Sequence, residues 1–158
     1  MKRKFQSYKK RITPVLIRTL DQHEQKFSQW YGREGRQVVS RVRRFTTQGK
    51  MIRGGLVLFA YETSRPRSSA AVVRAAAAVE LFHAALLIHD DIMDRSVLRR
   101  GLPSAYAQYA RAAAERGFAA PEHYGVSQAI GVGDIYLFMA LSMLADVRLP
   151  SGRKQKMI

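Results

Sequence analysis

The chain has 158 residues, no cysteine, 47% hydrophobic content, and 27 Lys and Arg against 12 Asp and Glu, for a formal charge of +15. That length gives one domain, residues 1–158, with a real core; the lack of cysteine excludes a disulfide framework and thiolate metal sites and makes a cytoplasmic setting the default. The excess of positive charge calls for an anionic partner, which leaves nucleic acid, an anionic membrane surface or a phosphorylated small molecule. The basic opening "MKRKFQSYKKR" lacks the apolar segment of a signal peptide, and no run of about 18 apolar residues is apparent, so no spanning helix is expected.

Helical periodicity dominates and strand alternation is nearly absent, so the chain reads as all-α. The first helix is predicted over about Tyr8 to Tyr31, with Ile12, Val15, Leu16, Leu20 and Phe27 on one stripe and Pro14 near its start. "YGREG" breaks it, and a second helix is predicted from Arg36 to Thr47. "QGKMIRGG" then forms a basic, glycine-bracketed turn leading into a short helix, "LVLFAYETS". After the turn "SRPRSS", the longest helix is predicted from near Ser68 through "DDIMD", its alanines favouring close packing. Ser104 is a candidate cap for an Ala-rich helix, "FAAPEH" reads as a loop, and "YGVSQAIGVGDIYLFMALSMLAD" is the last long helix. Six or so helices with short connections predict a helical bundle.

The stretch "LLIHDDIMDRSVLRRG" places three carboxylates in five positions and follows them with three arginines. At about 100° per residue, Asp90 and Asp94 lie about 40° apart and Asp91 about 60° further round, so all three are expected to converge on one side of the helix end. Acids are disfavoured at a helix C-terminus, so a cation is needed among them. An all-oxygen set suits Mg²⁺, which binds through one or two carboxylates plus substrate phosphates and water. His83, two turns upstream, falls within about 20° of the same face, whereas His89 is about 120° from His83, which argues against a zinc site. Leu86 lies between, making an apolar wall. Arg99 and Arg100 form one basic cluster, and Lys50 with Arg53 forms another, which suggests two anions.

These residues resemble a known family. "GKMIRG", "VELFHAALLIHDDIMDRSVLRRGLPS" and "YGVSQAIGVGDIYLFMALSML" look like successive blocks of the polyprenyl synthetases, the trans-type isoprenyl diphosphate synthases. The resemblance implies the first half of a helical bundle of the isoprenoid synthase type. It implies Asp90, Asp91 and Asp94 as Mg²⁺ ligands of a DDxxD motif and Arg99 as a contact of the allylic diphosphate. It also implies Arg100, Lys50, Arg53 and His83 as contacts of isopentenyl diphosphate. The usual basic turn, GKRxRP, is altered here by Met51 and Gly54. Asp134 matches a helical position and reads as structural or supporting.

The chemistry so implied is chain elongation: the allylic diphosphate departs, the double bond of isopentenyl diphosphate attacks the resulting cation, and a proton is lost. Ala84, Ala85 and Leu86, beneath the first aspartate, are the expected chain-length wall, and their small size predicts a product of C20 or longer. Family members run to about twice this length with a second aspartate-rich motif, so the chain is expected to be the N-terminal half of a synthase or one piece of a split enzyme. Self-association or a partner chain, as a homodimer or heteromer, is therefore expected, and "SGRKQKMI" has the composition of a starting helix. Two alternatives stay open. A non-catalytic subunit modulating a complete synthase has no need to keep "DDIMD" and "RRG". A nucleic-acid-binding helical module conflicts with an acidic cluster amid the basic residues; salt-dependent binding to bulk DNA distinguishes it.

Overall fold

In the computed structural model, which describes residues 2–64 and 69–147, the alanine-rich run forms the central helix. The helices are α1 (Lys2–Thr47), α2 (Ile52–Ser64), α3 (Ala70–Met93), α4 (Ala105–Glu115) and α5 (Pro121–Ala145). Their small side chains let helices approach closely, and Ala75 to Ala78, Ala84 and Ala85 are all buried where α1, α2 and α5 pack against α3. The all-α bundle expected from periodicity is what forms. The predicted start at Ser68 and the terminal "SGRKQKMI" lie outside the described residues.

Helix α1 is two arms rather than one rod. It begins at Lys2, earlier than predicted, runs through Pro14, and reverses at Gly32, whose φ of 60° and ψ of −137° only glycine takes readily. The predicted five-residue break is thus a single residue, and helix resumes at once. Arg43 pairs with both Asp21 and Glu24, and Arg36 pairs with Glu24 at 3.0 Å, clasping the arms antiparallel. Tyr8, Ile12, Leu16, Leu20, Val39 and Val42 close the core from this side.

Two corrections concern helix ends. Helix α5 starts at Pro121, inside the stretch read as a loop, because proline's fixed φ suits the first helical turn. Ser104 does precede α4, but it makes no side-chain capping bond, and its hydroxyl is buried without a partner.

A strand pair that periodicity did not show, β1 (Leu98–Arg99) and β2 (Leu102–Pro103), joins α3 to α4 in antiparallel register. Arg100 and Gly101 form its two-residue turn with φ of 54° and 75°. Positive φ at both positions is the condition of a type I′ turn; glycine meets it freely and Arg100 under strain.

Helices α3 and α5 are, by length and composition alone, apolar enough to cross a membrane, which corrects the expectation that no such stretch exists. Within the apolar window of α3, 61% of the residues are buried in the protein, as befits its central place, against 39% for α5.

Candidate functional site

The end of α3 separates its three acids. Asp94 caps the helix, its backbone N–H donating to the Asp90 carbonyl at 2.8 Å, and both Asp90 and Asp94 are exposed. Asp91 is 0% exposed. Arg95, with φ of 51°, reverses the chain, and the strand pair then returns Arg99 to α3. Its Nε donates to Asp91 Oδ1 at 2.8 Å, and its Nη2 lies 2.5 Å from that oxygen and 3.1 Å from Asp90 Oδ2. Burial pushes the Asp91 carboxyl above its ordinary value while the Arg99 hydrogen bond and charge pull it down; Arg99 itself is held above its ordinary value, chiefly by Asp91.

The three carboxylates therefore do not converge on one point, contrary to the expectation from helical angle alone. Among the described residues no group of three His, Cys, Asp or Glu is placed to hold a metal ion together. About 60° of helical arc is enough to turn Asp91 under the helix, where a guanidinium is its partner. What remains still fits Mg²⁺. Asp90 and Asp94 are open carboxylates one turn apart, the donor set is all oxygen, and the seat between Asp90 and Asp91 already accepts a cationic group. Asp91 Oδ2, buried and unpartnered, adds uncompensated negative character beneath that seat.

The second basic cluster assembles from three elements. Arg100 leaves the turn in the opposite direction from Arg99, and its Nη1 donates to the Phe45 carbonyl at 2.5 Å. A Cβ on Gly49 would come within 3.0 Å of that nitrogen, so the glycine admits the guanidinium. Arg53 donates to His83 Nε2 at 2.9 Å. Lys50 is exposed on the turn between them, and Met51, with φ of 53°, turns its side chain wholly into the core. Met51 is thus a core residue and could not face an anion.

His83 is pushed below its ordinary value by burial first, then by Arg53, Arg100 and Arg99, with Asp90 opposing. Because the folded value is the lower one, protonation favours the unfolded chain. The contribution of His83 to stability is complete above about pH 6.5 and is lost as pH falls through the folded value. A ring titration followed by NMR is expected to show a midpoint for His83 below about 6.5; a midpoint at or above that value contradicts the arrangement.

The predicted wall divides as the acids do. Ala84 and Ala85 are 4% and 1% exposed and belong to the helix packing, whereas Leu86 is 50% exposed. Phe82, one turn before it, is exposed on α3 as well, a position sequence reading passed over. Asp134 on α5 lies 3.4 Å from His89 Nε2 on α3, next to Asp90. Glu80 was also missed: it lies buried in the run "AAAAVE", and its Oε1 accepts the Gly54 N–H at 2.7 Å. A cleft of about 450 Å³ between α1, α4 and α5 includes none of the predicted site residues.

The sequence profile of the polyprenyl synthetases matches residues 36–158, which include every predicted site residue. The chain belongs to the polyprenyl synthetase family. Geranylfarnesyl diphosphate synthase of Methanosarcina mazei is 34% identical over 106 residues, covering 67% of this chain and 29% of that protein. A geranylgeranyl diphosphate synthase of the same organism is 46% identical over 68 residues, covering 42% of this chain and 20% of that protein. The crystal structure of geranylgeranyl pyrophosphate synthase from Corynebacterium glutamicum, complexed with isoprenyl diphosphate and magnesium, superposes with a TM-score of 0.77 at 32% identity, covering 90% of this chain and 42% of that one. This polyprenyl synthetase sequence thus spans less than half the length of each.

Proposed function

We propose that the chain carries the first diphosphate-binding half of a magnesium-dependent trans-prenyltransferase that condenses isopentenyl diphosphate with an allylic diphosphate. The observation that carries this reading is the divergence of two adjacent arginines. Arg99 lies against Asp90 and Asp91, while Arg100 joins the side of Phe45 and Gly49, near Lys50 and the Arg53–His83 pair. One strand turn thereby serves two anion seats, as a reaction between two diphosphates requires. The complex of the Corynebacterium protein and the names of the M. mazei relatives support the same reading.

Asp90 and Asp94 would hold the magnesium, with Asp91 beneath; when bound, that ion supplies positive charge to the departing diphosphate. Arg99 offers the allylic diphosphate the side of its guanidinium that its link to exposed Asp90 gives up on exchange, while buried Asp91 keeps hold of its Nε. Arg100, Lys50, Arg53 and His83 hold isopentenyl diphosphate. Neutral His83 accepts from Arg53 and leaves that guanidinium its full charge. Leu86 and Phe82 offer the apolar surface along which a hydrocarbon tail can lie out of water. Exposed Ile130, Phe138 and Leu141 on α5 support an assembling subunit, homodimeric or heteromeric.

The test is a magnesium-dependent condensation assay with extraction of the lipid product, comparing Arg100→Ala with the unaltered protein. Its apparent KM for isopentenyl diphosphate is expected to rise about tenfold or more, as loss of a charge-assisted contact implies, with a smaller change for the allylic partner. Equal rises for both substrates would remove the two-seat assignment.

A further inference from the structure

We infer that Glu80 is the positioning residue of the basic turn: its buried carboxylate fixes the first turn of α2 on α3 and so sets where Lys50 and Arg53 stand. This rests on the reading above that these side chains receive a diphosphate.

Glu80 is 8% exposed, in the middle of α3. A carboxylate in such a place is costly unless it is hydrogen-bonded. Its Oε1 accepts from the backbone N–H of Gly54 at 2.7 Å, while the first bond within α2 runs from the Gly55 N–H to the Met51 carbonyl. Gly54 N–H is therefore one of the donors that a helix start leaves without an internal partner, and a residue on another helix takes it. A negative charge there also suits the positive end of the α2 dipole.

The contact admits few substitutes on either side. A Cβ on Gly54 would lie 2.6 Å from the Ala76 carbonyl oxygen and 3.0 Å from Glu80 Cγ, so only glycine brings its backbone this close. Arg53, the residue before, reaches His83, three positions beyond Glu80 and on the same face of α3. Two consecutive residues of the turn are thus tied to two residues one helical turn apart. The ties differ: Arg53 is exposed and free to exchange its partner for a ligand, whereas the Glu80 bond is buried away from solvent. The enclosed bond preorganises the exposed one.

The experiment titrates the 158-residue chain with isopentenyl diphosphate by calorimetry, at a temperature well below every unfolding midpoint, and follows amide exchange of residues 52–56 without ligand. E80A is expected to weaken binding about tenfold and to speed exchange at the Gly54 amide by a similar factor, the scale of one lost hydrogen bond to a charged group. E80Q, which keeps an oxygen acceptor, is expected to restore most of both. E80D, which draws the carboxylate back while leaving it charged, supplies an intermediate should E80A fail to fold; its losses in affinity and protection should run in parallel. A residue important only to stability would lower the unfolding midpoint and leave affinity untouched. Unchanged affinity in E80A or E80D, whatever the exchange rates, overturns the inference. If the unaltered chain binds no isopentenyl diphosphate, the diphosphate reading fails, and unchanged Gly54 exchange in the variants would separately refute the anchoring role.

Discussion

Asp91→Ala is expected to destabilise the fold by about 2–3 kcal/mol, while Asp90→Ala stays within about 0.5 kcal/mol of the parent. The two acids are neighbours in sequence and face different surroundings. The Asp91 side chain is 1% exposed and Arg99 is 22% exposed, so removing Asp91 leaves a largely enclosed guanidinium with only the weaker, half-exposed Asp90 as partner. The figure lies below the usual cost of splitting a fully buried pair because Arg99 keeps Asp90 and some water. Asp90 is 51% exposed, and its pairing with Arg99 is screened. Denaturant midpoints for the two variants decide the matter, and equal losses would contradict the burial difference. Function should divide the other way: Asp90→Ala is expected to remove magnesium-dependent diphosphate binding while the protein stays folded.

Ala85→Phe is expected to damage the fold, by about 3 kcal/mol or more, rather than shorten a product. Sequence position alone puts Ala85 in the wall beneath the carboxylates, where an added ring would stop a growing chain. Its side chain instead sits at 1% exposure in the contact layer of α3, and a benzyl group there has no free volume to enter. Leu86, at 50% exposure, is the wall position left open, and under the proposed function it is the one expected to limit the tail. Leu86→Ala is expected to leave the unfolding midpoint within a few degrees and to lengthen the product. Thermal unfolding followed by circular dichroism checks the first part, and chromatography of the extracted product checks the second. An unchanged midpoint for Ala85→Phe would return Ala85 to the wall.

Much of this was legible because its cause is local. The alanine run fixes α3 by propensity and packing, and the predicted helix end falls on Asp94, the observed cap. Helical angle placed His83 close enough to feel the charge of Asp90, but the pairing of Arg99 with Arg100 as one basic cluster gave way to two arginines that diverge. What was not legible depends on how separate elements meet. The three acids are spelled alike; helical angle turns Asp91 under the helix, and the returning strand pair, which puts Arg99 on it, encloses the carboxylate. The same holds for Ala85, which helix packing buries, and for Glu80, whose partner Gly54 lies 26 residues away. Met51 read as a lost basic contact because nothing in the turn's spelling shows that positive φ sends its side chain into the core.

That Asp90 and Asp94 with Arg99 form a seat for a magnesium-bound diphosphate is tested by a calorimetric titration of the chain with pyrophosphate, with and without magnesium. Magnesium completes its shell with phosphate oxygens and one or two carboxylates, so neither component alone should bind well. The predicted result is strong heat and measurable affinity only when both are present, lost in Asp90→Ala and retained in a distant surface variant such as Arg111→Ala. Equal pyrophosphate affinity in the presence and absence of magnesium would contradict the claim.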